Sequence, residues 1–334
     1  LPEFWKTRCE AKGWVFSDPN YVPYDVDNAQ GLDRWSKQYW LFCDALWRSE
    51  VFVKRLKNLG DGGVVPEGAF KNCDFLNLEH LPEGIVDIGP RAFYGCKNMA
   101  LTSLPRGITD IGSCAFEFCS KLALTSLPDK IKIIQYGAFW DCRKLALTSL
   151  PKGITQISEA AFEGCRALAL KSLPEGLAVI AESAFSGCSA LAFESLPEGL
   201  TSIGAFAFYG CKNMALTSLP DKIKIIEDGA FWDCSRLALT SLPKGITQIK
   251  NNAFDGCRAL ALTSLPDKLT NIGRWAFDGC RSLALTSLPE KLATIDYKAF
   301  FNCSAIRITI PFQTRRNYAI GADAFKGCPL VSFE

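Results

Sequence analysis

Cysteines stand at 73, 96, 119, 142, 165, 188, 211, 234, 257, 280 and 303, each 23 residues after the last, and once more at 328. One thiol per repeat allows three chemistries. Neighbouring repeats would bring the sulfurs within disulfide reach. A cluster of thiolates would bind zinc, but no C-x2-C pair occurs and that spacing is absent. The third possibility is a column of small buried thiols acting as weak donors. Each column cysteine follows an Ala-Phe pair by three residues, the end of an apolar turn, and this favours free structural thiols. Cys9, Cys43 and Cys114 lie off the column; Cys9 and Cys43 are a bridge candidate if the compartment oxidises.

His80 is the only histidine. A nucleophile–histidine–acid triad or a histidine metal site would rest on it alone. It occupies the seventh place after Cys73, where later repeats carry Ser103, Ser126 and Ser149, so it reads as a surface variant. No phosphate-cradling glycine loop is present. These readings argue against an enzyme, and no cofactor or metal is expected. Thr recurs at the sixth place in eight repeats and Ser at the seventh in nine. Such hydroxyl ladders can bind ice or glycans, though small polar residues also suit an exposed strand.

The aromatic residues are irregular and therefore more informative. Position 21, counted from each column cysteine, holds Tyr94, Trp140, Tyr209, Trp232 and Phe301, and is otherwise polar. Positions 17 and 18 add Tyr136, Tyr297, Phe206 and Trp275. Aromatic anchors dominate protein–protein hot spots. Tyr94, Trp140, Tyr209, Trp232, Trp275 and Phe301 are accordingly the candidate partner contacts on the repeats.

A period of 23 residues marks a solenoid. The sequence predicts one coil as follows. LALTSL is a short strand stopped by Pro at position 9. A turn leads to a second extended piece, ITDI or IKII, with Ile or Leu at 12 and Ile at 15 facing inward. Positions 16 to 22 are a tight helical turn that inserts Ala and Phe at 19 and 20 into the core. Coils then share a face that none buries alone. Residues 128–171 and 220–263 are near copies at an offset of 92, four coils, which records block duplication.

The ends differ from the middle. Residues 1–63 read as an aromatic-rich helical amino-terminal cap, with one helix over 32–59 and a short hinge at 61–63. Trp40, Trp47 and Phe52 widen its apolar face beyond one docking surface. They are further candidate partner contacts, and peripheral membrane contact through 32–59 is an alternative. The solenoid proper is 64–311. Residues 312–334 read as an atypical terminal coil and carboxy-terminal cap. The chain begins with Leu1, consistent with a removed leader or a trimmed piece. Net charge is +2, so no basic stripe suggests nucleic acid, and no apolar run is long enough for a membrane-spanning helix.

The pattern C-x2-L, LP-x2-L/I-x2-I and AF-x2-C resembles the BspA-like, or Treponema-type, leucine-rich repeat family over about residues 64–334. The resemblance implies a binding or adhesion surface rather than chemistry. Two versions of that expectation compete. One is a structural or linker subunit of a larger assembly; the other is a cell-surface adhesin or receptor-like module. The odd count of 15 cysteines favours a reducing compartment, cytosol or organelle interior, over the cell exterior.

Overall fold

The computed structural model describes residues 63–74, 76, 78–310 and 319–333. The rungs stack through short parallel strands: β1 (Gly63–Val65), β2 (Ile85–Ile88), β3 (Asp110–Ile111), β4 (Ile133–Ile134), β5 (Gln156–Ile157), β6 (Val179–Ile180), β7 (Ser202–Ile203), β8 (Ile225–Ile226), β9 (Gln248–Ile249), β10 (Asn271–Ile272), β11 (Thr294–Ile295), β12 (Ile308–Ile310), β13 (Ala319–Ile320) and β14 (Val331–Phe333). Among the pairs from β2 to β11 the register is a constant 23 residues, so that Ile157 faces Ile180 and Ile249 faces Ile272, while β1 slips by one residue between Gly63 and Val64. Among the described residues the first paired one is Gly63, inside the stretch read as a hinge.

The strand lies in the second extended piece of each coil, not in LALTSL. The reason is spacing. Leu122, Leu124 and Leu127, at positions 3, 5 and 8 of one coil, are all buried, and steps of two and then three cannot hold a strand's two-residue alternation. That segment keeps one rung-to-rung bond in several coils, as where Ala123 N–H donates to Leu101 O at 3.0 Å. In the last coil Ile306, Ile308 and Ile310 alternate cleanly, and here the segment becomes a strand, β12 pairing with β14.

The core is one continuous column. Phe70, Phe93, Phe116, Phe139 and their successors to Phe325 stack at 5.1–5.7 Å between centroids, with planes within 14°. Offset-stacked rings add to the large apolar area each buries. Beside them every column thiol from Cys96 onward donates to the phenylalanine carbonyl of the preceding rung, Cys96 to Phe70 O at 2.9 Å and Cys211 to Phe185 O at 3.2 Å. The twelve described cysteines from Cys96 onward are unbridged and buried, as the buried-thiol reading expects.

Positions 16 to 22 insert Ala and Phe as expected, but through linked reverse turns rather than a helical turn. N–H groups alternate in direction. Arg91, Phe93 and Gly95 donate to Ser113, Ala115 and Glu117 of the next rung at 2.8–2.9 Å, while Ala92, Tyr94 and Cys96 donate three residues back at 3.1–3.2 Å. Pointing alternate amides along the stack requires left-handed backbone at positions 18 and 22. Both are left-handed in every coil, from Gly68 and Asn72 to Asp323 and Gly327.

The sheet is not continuous. β1–β3, β4–β7 and β8–β11 with β13 form separate sheets, so no ladder joins β3 to β4 or β7 to β8. Both breaks precede the duplicated IKII coils. On the turn side the same rungs stay bonded, with Phe118 N–H to Trp140 O at 2.7 Å and Gly210 N–H to Trp232 O at 2.8 Å.

The proposed helix over 32–59, the pair Cys9 and Cys43, the contacts Trp40, Trp47 and Phe52, and most of the insertion FQTRRNYAI lie outside the described residues.

Candidate functional site

The aromatic side chains at position 21 lie on the turn side of the rungs, because 19 and 20 are spent on the core, while Glu117 and Ser186 at the same position are buried. Consecutive rungs then bring aromatic residues side by side in three groups. In the first, Tyr94 packs edge-on against Phe118 at 5.5 Å and Phe118 tilts against Trp140 at 5.9 Å, with Lys71 over the Tyr94 ring at 5.6 Å. In the second, Tyr209 meets Trp232 edge-on at 5.1 Å, and the Phe206 ring covers Gly229, where any added Cβ would collide with it. In the third, Trp275 meets Tyr297 at 5.3 Å, and Lys298 sits over Tyr297 at 5.1 Å and Phe301 at 4.7 Å. Tyr136 and Tyr209 are 40% exposed, and Trp140, Trp232 and Trp275 are half-buried.

The sequence-derived contacts on the repeats therefore fall into groups rather than isolated points. Phe118 is the member that sequence reasoning missed. Position 22 carries Gly, Asp or Asn in every other coil, residues that tolerate left-handed backbone; Phe118 holds φ 61° there. A bulky side chain in that region is an outlier, and that exception was the available signal.

A carboxylate follows each tryptophan along the chain, and another holds the tryptophan's position on the next rung. Asp141 accepts two bonds from Arg143, each 2.9 Å, and Asp233 pairs with Lys212 at 3.0 Å. The next rung adds Glu163 beside Asp141 and Asp255 beside Asp233, tied by the Asp141 and Asp233 N–H groups donating to the Glu163 and Asp255 carbonyls at 2.7 Å. Burial, then Asp141 and Glu159, push the Glu163 carboxyl above the usual range. Burial pushes Asp255 up to about 6 against the hydrogen bond from Asn252, with Asp278 and Asp233 adding to the rise.

Other candidates do not form a centre. His80 is exposed on the first described coil. Cys114 is buried on the turn side, its thiol pushed up to about 12 by burial and then by Glu117, so it is a poor nucleophile. The Thr and Ser columns, from Thr102 to Ser287, are solvent-facing. Among the described residues no cluster of three or more His, Cys, Asp or Glu side chains is placed to hold a metal ion. No described helix is long and apolar enough to cross a membrane.

Identical rungs, a single stacked core and one varied edge define a leucine-rich-repeat solenoid, a fold that presents extended surface. The chain belongs to the BspA type leucine-rich repeat family, whose region of six copies matches over residues 64–192, 155–284 and 201–332. It is similar to the crystal structure of a leucine-rich repeat protein from Bacteroides ovatus, 27% identical with TM-score 0.60, over 80% of this chain and 76% of that one. A leucine rich cell surface protein from Faecalibacterium prausnitzii is 26% identical with TM-score 0.47, over 82% of this chain and 88% of the other. No curated protein matches.

Proposed function

We propose that this protein is a non-catalytic scaffold for protein–protein interaction, acting as a structural or linker subunit of a larger assembly through the turn edge of its rod. The supporting observation is the contrast between columns. The Thr/Ser face repeats almost unchanged, whereas the turn edge carries grouped aromatics that differ from rung to rung. Interface anchors are enriched in Trp and Tyr, held rigidly beside near-neutral contacts. Here a stacked core supplies the rigidity.

The column of free thiols supports a reducing compartment for that assembly, since exposed or unfolded cysteines would otherwise be oxidised during folding. Counting reactive thiols on freshly isolated protein, native and then unfolded, tests this: all thiols recovered on unfolding fits, and a shortfall made good only by a reductant does not.

The interaction reading is tested with the paired variant Trp140→Ala/Trp232→Ala. Wild-type and variant chains are immobilised and exposed to extracts of the source organism. A co-purifying protein lost from the variant, with circular dichroism unchanged, is the expected result. Equal recovery of every co-purifying protein refutes the turn edge as the contact surface.

A further inference from the structure

The duplicated block repeats more than a core. Trp140 and Trp232 occupy the same place four coils apart. Each is backed by an aromatic ring of the preceding rung, Phe118 or Tyr209. Each is followed by an aspartate whose side chain packs over a left-handed glycine of the next rung: a Cβ at Gly164 would fall 3.1 Å from Asp141 Oδ1, and one at Gly256 3.6 Å from Asp233 Oδ1. Each has a second carboxylate on that next rung, Glu163 or Asp255.

The two aspartates already hold cations of this chain, Arg143 and Lys212. Glu163 and Asp255 make no ion pair among the described residues. Both are partly buried beside other carboxylates, and a cation from outside would relieve that repulsion. An indole next to an unneutralised carboxylate receives a guanidinium well, the ring by cation–π attraction and the carboxylate by charge-assisted hydrogen bonds. An acidic segment would meet like charge at both places.

We infer that Trp140 with Glu163, and Trp232 with Asp255, are two equivalent receptors for arginine or lysine side chains, bridged by one extended basic segment of a partner protein. This rests on the turn edge being the contact surface and adds the chemistry of what docks there. Four rungs of about 4.8 Å separate the receptors by roughly 20 Å. Extended chain covers about 3.3–3.6 Å per residue, so the two basic residues stand about six apart. Joining two weak sites raises affinity through effective concentration without any new contact.

The test uses dye-labelled synthetic peptides and fluorescence anisotropy on the full chain. One peptide carries two arginines separated by about five Gly/Ser residues; a second carries one arginine; a third carries glutamates in place of both. The two-arginine peptide should bind at least about tenfold tighter than the one-arginine peptide. Glu163→Gln and Asp255→Asn should each remove that advantage, and the glutamate peptide should not bind. Equal affinity for one and two arginines overturns the bridge. Binding that survives both carboxylate substitutions, or no binding of the two-arginine peptide at millimolar concentration, overturns the receptors. Should co-purifying proteins still depend on Trp140 and Trp232 in that event, the scaffold reading stands and only the basic segment is wrong.

Discussion

Raising the pH through the ordinary thiol range should unzip the rod before lysine or tyrosine titration begins. The perturbation acts on ten column thiols, Cys96 to Cys303, whose ionisation burial pushes up before any neighbour is counted. The direction of the linkage follows. The unfolded chain loses these protons near pH 8.5, the folded chain does not, so stability is complete below that pH and falls as pH rises above it. Each thiol contributes a slope of about 1.4 kcal/mol per pH unit. One unit above the unfolded value, ten thiols together cost on the order of 10 kcal/mol, comparable with the ~5–15 kcal/mol that holds an ordinary domain. The assay is urea unfolding followed by circular dichroism, under reductant, from pH 7 to about 9.5. The midpoint should fall steeply above pH ~8.5. Replacing Cys188, Cys211, Cys234 and Cys257 by Ala should flatten that fall by about four tenths, four thiols of ten, whatever it does to the midpoint at pH 7. A midpoint that is constant from pH 7 to 9.5 refutes the claim that these thiols stay protonated inside the rod.

Further outcomes follow from the packing. Phe185 touches Phe162, Phe193 and Phe208 in the stack, so Phe185→Ala should lower unfolding free energy by about 3–5 kcal/mol in denaturant titration. A Cβ at Gly204 would come within 2.6 Å of Ala181 C and 2.9 Å of Glu182 Cα, both backbone. Gly204→Ala should therefore destabilise by more than about 2 kcal/mol, while Gly176→Ala, where the nearest atom is Ile154 O at 3.9 Å, should not; paired melts decide it. Ser183 holds φ 54°, and Ser183→Gly should stabilise by a few tenths to about 1 kcal/mol, because glycine adopts left-handed backbone without steric cost.

The cysteine period sets the rung, and the residues that travel with it set the core. Ala92 and Phe93, Ile108 and Ile111, Leu122 and Leu124 are all where their spacing puts them. LALTSL misleads because Leu-Ala-Leu looks like strand alternation for three residues, and the break comes only at the third leucine. The left-handed turns were hidden for a different reason. Position 18 holds Arg91, Ser183, Phe206, Trp275 and Lys298 as readily as Gly137. The conformation is imposed by the hydrogen-bond direction of the neighbouring rung, so side-chain type does not announce it. The aromatic column at position 21 could be read from Trp140 and Trp232, but its grouping could not. Contact between Tyr94 and Trp140 runs through Phe118, and a residue two rungs away in space is 46 residues away in sequence.

The two places where the sheet ladder lapses have a mechanical meaning. Between β3 and β4, and again between β7 and β8, rungs are joined by the turn edge, the core and one amide of the leucine segment, Ala123 to Leu101 O and Ala215 to Phe193 O, but not by the strands. Pulled from its ends or flexed against a partner, such a rod yields at those two joints first, three stiff lengths whose couplings include the Phe118 and Gly210 amides on the Trp140 and Trp232 carbonyls.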